Sequence, residues 1–422
     1  GIGVKGFSYL WHMAWRRKAA CLLVVVATMV ATVFMLFYPS LIENTRKRLE
    51  ETYQGITVTG SIVSTGISPE VPAVSGSLWK EIQESGYFSN LYASGSFSIR
   101  AFPKDILEEK AGTSASEQEQ LIAFQNLLAQ AEEESGVVSG VMKAYNTFSA
   151  EDELVRIQDD IRWLDGYDET CLEGNERICI VSERWGYALG DTIPMLARVL
   201  VNKSYMEGIF RMKVVGTYPG KITGFAAVMP LKTMEDLTIA TNAVQKQNGN
   251  YSEWIFGLNE VYFTVRDNLQ LTQIKTMITE KGLRDSKYAR VRIDDRILKE
   301  TVGPIESNLA QLEGSYLFFF VMIAAIGFFI SFLLARGRKP EYAVMRMLGE
   351  SRAQITIKAL CEQFVFCLAG VMLGAAAVGL MEKSSFQLGI CAVILLCYTL
   401  GAAVAVMLTV RVNVMDILRD KE

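Results

Sequence analysis

Few residues in this 422-residue chain are spaced as chemistry requires. A phosphate-binding loop needs Gly-x4-Gly-Lys-Ser/Thr, so that backbone N–H groups can wrap the phosphates. The nearest stretch, Gly216-Thr-Tyr-Pro-Gly220-Lys221-Ile-Thr223, is one residue short and carries Pro219. A hydrolase triad or a zinc site needs histidine, and the single histidine, His12, stands ahead of the first apolar run. The acid pairs Asp159-Asp160 and Asp294-Asp295 read as solvated surface, and Asp165-Gly-Tyr-Asp168 reads as a turn. Cys171 and Cys179 flank Glu173-Gly-Asn-Glu176, a spacing that suits a turn between two strands closed by a disulfide; two free buried thiols are the alternative. The other five cysteines, at 21, 361, 367, 391 and 397, lie in or beside apolar runs and read as packing residues. The expectation is a chain that is not an enzyme and binds no metal or cofactor of its own.

One stretch has a more deliberate build, Ala335-Arg-Gly-Arg-Lys-Pro-Glu-Tyr-Ala-Val-Met-Arg-Met-Leu-Gly-Glu-Ser-Arg352. Pro340 suits the first turn of a helix, where its missing N–H costs nothing, and Glu341 favours the positive end of the helix dipole. Gly349 suits a C-terminal stop, and Ser351 with Gln354 spells a capping box that opens the next helix. The pattern predicts a short helix between two long apolar segments.

Those segments position it. Half the residues are hydrophobic and the mean hydropathy is +0.21. Four uncharged runs reach the roughly 20 residues that a helix needs to cross about 30 Å of hydrocarbon. They are Ala19–Tyr38, Ser315–Ala335, about Phe364–Met381 within a helix 355–381, and Phe386–Val410. The first is too long for a signal-peptide core, and no small-residue cleavage site follows it. Basic residues gather before the first run (Lys5, Arg16, Arg17, Lys18), between the second and third (Arg336, Arg338, Lys339, Arg346, Arg352, Lys358), and after the fourth (Arg411, Arg419, Lys421). With alternating spans these segments share one side, which the positive-inside rule assigns to the cytoplasm. Both termini are then cytoplasmic, in a multi-pass membrane protein. Residues 1–18 read as an amphipathic interfacial helix, 336–354 as a cytoplasmic loop and 411–422 as a cytoplasmic tail.

Residues 40–314 carry 28 Lys and Arg against 39 Asp and Glu, a net of −11, whereas the rest carries 14 against 7, a net of +7. The acidic segment 39–314 is expected outside the cell, and its charge argues against a nucleic-acid partner. Alternating runs such as Gly55–Val63, Phe97–Phe102, Ile178–Ser182, Thr192–Val201 and Val261–Val265 predict strands, and Leu269–Lys281 predicts a helix. Residues 105–160, rich in Glu, Gln, Ala and Ser, read as an inserted subdomain. Leu41–Tyr53 and Ile305–Gly314 read as helical stalks that continue the adjoining spans. The fold class is therefore an α-helical membrane protein with four transmembrane helices and an α+β extracytoplasmic domain between the first two.

This plan resembles FtsX-like permeases of the MacB type, the membrane subunits of a class of ABC transporters (type VII). The loop Arg338–Ile355 is similar to that family's most recognisable stretch, and Arg411-Val-Asn-Val-Met-Asp-Ile-Leu-Arg419 to its usual ending. Ile178-Cys-Ile-Val-Ser-Glu, Leu189–Ile193, Met212–Gly216 and Val228–Leu231 resemble its extracytoplasmic core domain. The resemblance implies a pair of permeases, identical or different, working with a cytoplasmic ABC ATPase that binds the ATP. It implies that Lys339–Leu348 contacts that ATPase, with Pro340 and Glu341 opening the helix and Gly349 closing it. Tyr342, Met345 and Met347 would be its apolar anchors and Arg346 a polar one. It also implies motion passed through the stalks to the outer domain. That motion would export peptides, antimicrobials or lipoproteins, or alternatively signal to an extracellular partner such as a wall hydrolase. About 275 outer residues sit closer to the exporters. Membrane lipids and possible extracellular peptides complete the expected partners.

Overall fold

A computed structural model of the chain describes residues 18–67, 71–130, 138–148, 153–201, 204–220, 227–247, 249, 256–381 and 388–410. The chain divides into two units, residues 53–299 and residues 1–52 with 300–422. In chain order the first elements are α1 (Lys18–Gly55), β1 (Thr59–Ser64), β2 (Val74–Ser75), α2 (Gly76–Glu84), β3 (Phe88–Ala101), α3 (Lys104–Ala111) and α4 (Glu117–Gln130). Then come β4 (Val138–Tyr145), α5 (Glu153–Gln158), β5 (Arg162–Trp163), β6 (Ile178–Ser182), β7 (Thr192–Val201), β8 (Ser204–Tyr218), β9 (Ala227–Pro230) and α6 (Leu231–Gln247). The last are β10 (Gly257–Leu258), β11 (Glu260–Val265), α7 (Leu271–Glu280), β12 (Ala289–Asp294), α8 (Arg296–Gly337), α9 (Lys339–Met347), α10 (Arg352–Met381) and α11 (Leu388–Val410).

The 53–299 unit is a mixed α+β fold. Its main sheet runs β12-β1-β11-β3-β4-β9-β6-β8-β5, and β7 pairs with both β3 and β8. The pairs β4–β9 and β6–β8 are parallel, and the other pairings in this sheet are antiparallel. Period-two alternation sets the faces. In β11, Val261, Phe263 and Val265 point inward while Glu260, Tyr262 and Thr264 are partly exposed. Tyr145, Leu154, Leu172, Ile180, Val215 and Tyr218 build one core cluster.

A capping box opens α4, with Ser116 N–H donating to Glu119 Oε2 at 2.7 Å and Glu119 N–H to Ser116 Oγ at 3.4 Å. The Asp165–Asp168 stretch is a turn, in which Asp168 accepts from Thr170 N–H at 2.9 Å and caps a short 3-10 segment. The segment expected as one insert, 105–160, divides differently. Its helices α3 and α4 close a small cluster around Phe124, but β4 lies between β3 and β9 and Leu154 joins the main core. The second half is thus part of the frame.

The expected Cys171–Cys179 disulfide is not formed, since both thiols are free. The physical reason is the strand period. Ile178 and Ile180 enter the cluster against which Cys171 packs, so Cys179 between them faces the opposite side of β6. Burial pushes the Cys171 thiol up to about 12, so it stays protonated and unreactive near neutral pH.

Of the Asp294-Asp295 pair read as solvated surface, Asp294 is exposed but Asp295 is buried in an ion-pair site. Asp295, 9% exposed, is bonded by Lys275 and by Lys299 Nζ at 3.0 Å. Nearby, Asn268 donates its amide to Tyr53 O at 2.6 Å and Ile56 O at 2.5 Å, fastening the C-terminal end of α1.

The other unit holds four helices long and apolar enough to cross a membrane, α1, α8, α10 and α11. Helices α1 and α8 run well past the predicted spans, to Gly55 and back to Arg296. Where both belong to this unit they zip together: Tyr38 stacks on Tyr316 at 5.5 Å and donates to Leu312 O at 3.0 Å, and Arg46 meets Glu313 at 2.7 Å. The last pair is exposed and adds little. Close approach is made by glycine. A Cβ on Gly370 would fall 1.8 Å from Thr28 Oγ1, and one on Gly401 would fall 2.0 Å from Ala324 O. The Thr28 and Thr32 hydroxyls donate back to Val24 O and Thr28 O, each at 2.7 Å, so both are satisfied within their own helix at the α1–α10 crossing.

Two predictions follow from these contacts. Burial pushes the Asp295 carboxyl up, but the two ammonium groups outweigh it and hold it below the ordinary 3.8. The stability it contributes is present above that value and is lost as the pH falls through the lower folded value. Asp295→Asn should therefore cost roughly 1–3 kcal/mol near neutrality and flatten the acid limb of the thermal midpoint against pH; parallel acid limbs would refute the assignment. In the bundle, Gly401→Ala forces a methyl against backbone and should cost about 1–3 kcal/mol. Thermal denaturation in detergent reads this, and an unchanged midpoint would mean the crossing is looser than described.

Candidate functional site

Helix α9 is delimited by its own local chemistry. Pro340 occupies its first turn with Glu341 beside it. Its C-terminus is a Schellman stop: Gly349, at φ +95°, donates to Arg346 O at 3.1 Å, and Glu350 N–H donates to Met345 O at 3.1 Å. Only glycine adopts that backbone without strain. The next helix opens at once. Ser351 N–H donates to Gln354 Oε1 at 2.9 Å and Gln354 N–H to Ser351 Oγ at 3.3 Å, the reciprocal capping box. The segment is thus a helix–turn–helix with one left-handed residue between.

Helical phase sorts its side chains into two sets. Tyr342 and Ala343 are buried, and Tyr342 packs with Ala335, Ile355, Ala359, Val406 and Val410, with Met345 at the margin. Val344, Met347 and Leu348 are 49%, 64% and 79% exposed. These three stand at i, i+3 and i+4, so they form one outward apolar ridge. Lys339, Glu341 and Arg346 are half-buried between the two faces, and Pro340 is exposed. Of the three expected apolar anchors, Tyr342 and Met345 turn inward and hold the helix, whereas Met347 faces out and is joined by Val344 and Leu348. The sequence reading grouped them by chemistry and overlooked phase.

The residue at the base of the helix was missed as a site residue. Arg338 occupies the single position between α8 and α9 and is 8% exposed. Its Nη1 donates to Glu362 Oε2 at 2.5 Å and its Nε to Glu341 Oε2 at 3.1 Å, and the guanidinium lies 5.6 Å from the Tyr342 ring centroid. Burial alone would lower its pKa, but the Glu362 and Glu341 carboxylates outweigh that and shift it upward. Arg338 is therefore a permanent cation with committed partners. The available signal was Glu362 itself, an acid in a largely apolar helix, which requires a buried cation or a route to water. Lys358 also returns to the loop, bonding Glu350 at 2.5 Å.

The other candidates take no shape as sites. Gly216 lies inside β8, where a Cβ would meet Ile161 and Ile180 at 3.1 Å, and Gly220 follows the strand at φ +89°. Lys221, His12, the N-terminal amphipathic segment and the tail from Arg411 lie outside the described residues. Among the described residues, no group of three or more His, Cys, Asp or Glu could hold a metal. The polar face of the main sheet carries an open groove of about 850 Å³, bordered by Asn90, Tyr92, Phe148, Tyr262, Arg292 and Asp294.

No protein-family model matches the sequence, and no curated protein sequence matches it either. Among solved structures, the chain is similar to the periplasmic region of MacB from Actinobacillus actinomycetemcomitans, at 13% identity and a TM-score of 0.28, covering 58% of this chain and 92% of that one.

Proposed function

We propose that the chain is the permease subunit of an ABC transporter in the bacterial plasma membrane, and that α9 is the surface on which a cytoplasmic ATPase bears. The observation that carries this reading is the two-sidedness of α9. One face is fastened to the apolar helices through Tyr342, and the other presents Val344, Met347 and Leu348 to solvent. A compact apolar ridge flanked by Arg346 has the form of a partner contact. The distribution of basic residues supports a cytoplasmic α9 and an extracytoplasmic 53–299 unit. ATP is bound by the partner, and this chain supplies movement rather than catalysis. A second permease, identical or different, and membrane lipids cover the outward faces of the long helices. The size of the α+β unit favours export or extrusion of peptides, antimicrobials or lipoproteins over signalling to a wall enzyme.

Purification of the chain from its own membranes should recover a nucleotide-hydrolysing subunit, and recovery of none would end the ABC reading. The two faces of α9 should separate in mutants. Met347→Asp with Leu348→Asp should release the ATPase and leave the thermal midpoint of the chain unchanged. Tyr342→Ala should instead cost about 3–5 kcal/mol of stability. Proline is locked near φ −65°, so Gly349→Pro breaks the stop at φ +95°. That change, like Arg346→Glu, should uncouple ATP hydrolysis from transport while membrane insertion persists. Unchanged coupling in both would place the contact elsewhere.

A further inference from the structure

We infer that Arg338 is a positioning residue, the latch that makes α9 and the start of α10 move as one body when α9 is displaced. The inference rests on the reading of α9 as the ATPase contact.

Besides apolar packing, a covalent connection and an ion pair join α9 to α10. The covalent one runs through Gly349, which sits at φ +95° and bears no side chain to stiffen it. The second is the Arg338–Glu362 pair, formed between side chains that are 9% and 15% exposed. Apolar packing of Tyr342 on Ile355 and Ala359 is non-directional and tolerates sliding. A guanidinium fork held by two carboxylates is directional. Glu341 lies on α9 and Glu362 on α10, so the one cation binds both helices. Moving α9 away from α10 would leave buried charge unpaired, which is strongly unfavourable. Displacement of α9 therefore carries α10 with it.

The backbone around Arg338 completes the device. Arg338 N–H donates to Ala335 O at 3.0 Å, and Tyr342 N–H donates to Arg338 O at 3.0 Å. The residue thus closes α8 and opens α9, with no other residue between the two helices. A pivot at that point lets α9 swing relative to α8 while the side chain keeps it registered on α10. Arg338 is buried and faces away from the Val344–Met347–Leu348 ridge, so it positions the contact without forming it.

The test uses the full chain with its copurifying ATPase in lipid nanodiscs. It reads MgATP hydrolysis, thermal midpoint, and the MgATP-dependent change in the trypsin cleavage rate of the 53–299 unit. Arg338→Gln and Glu362→Gln should keep the ATPase bound and hydrolysing, yet reduce the nucleotide-dependent cleavage change by about fivefold or more, the lower bound of ordinary coupling. The reciprocal change Arg338→Glu with Glu362→Arg should restore it. Arg338→Lys, which keeps the charge and loses the fork, should fall between and serves if the neutral variants do not fold. A folded Arg338→Gln or Arg338→Lys protein with the wild-type response overturns the latch. So does a folded reciprocal variant that restores stability and not the response. If wild-type protein brings down no ATPase, the ABC reading fails first, and the latch falls with it.

Discussion

A charge taken out of water has to be met by an opposite charge with committed hydrogen bonds, and much of this chain's helical unit is arranged around one such case. Arg338 is surrounded by Glu362, Glu341 and the ring of Tyr342. Fixing the guanidinium fixes the phase of α9, because Glu341 and Tyr342 are three and four residues on and must lie on its side of the helix. Once that side is inward, Val344, Met347 and Leu348 have no choice but to face out. The Schellman turn and the capping box then set how soon α10 begins, and so where along it Glu362 stands. The ridge that we read as a partner contact is in this sense a by-product of satisfying one buried cation.

The two units reach stability by different routes. In the 53–299 unit, alternation along strands such as β11 sends every second side chain into the core, and ion pairs such as Lys104–Asp191 and Lys299–Asp295 join its elements from the margin. In the helical unit, glycines and threonines let backbones approach within the reach of a missing methyl group. Polar residues there bond to their own helix, as Thr28 and Thr32 do, or to each other, as Arg338 and Glu362 do.

What was legible in the sequence was what is local. The limits of α9 could be read because Pro340, Gly349 and the Ser351–Gln354 pair act within a few residues of themselves. Strand β7 is found at Thr192–Val201, as its alternation predicts. Strand β4 was hidden because Val138–Tyr145 follows a Glu-rich stretch whose composition drowned a short apolar run. The Cys171–Cys179 bridge was misjudged because spacing says nothing of which face of a strand a side chain takes. Arg338 and Glu362 are 24 residues apart on different helices, so their meeting is a tertiary fact. The misassignment of Tyr342 and Met345 as outward anchors is different in kind, since helical periodicity already contained the answer.

The glycine crossings carry a thermal consequence. A unit that buries apolar surface from water gains most of its stability from hydration, and that gain carries a large heat capacity and a curved dependence on temperature. Were the helices that pack through Gly370 and Gly401 to lie in lipid, they would exchange one apolar contact for another, and their cohesion would be mainly dispersion and change little on cooling. Cooling below the stability maximum would then weaken the 53–299 unit while leaving the crossings nearly as tight as before. One part of the chain would have a temperature optimum and the other would be almost indifferent to temperature.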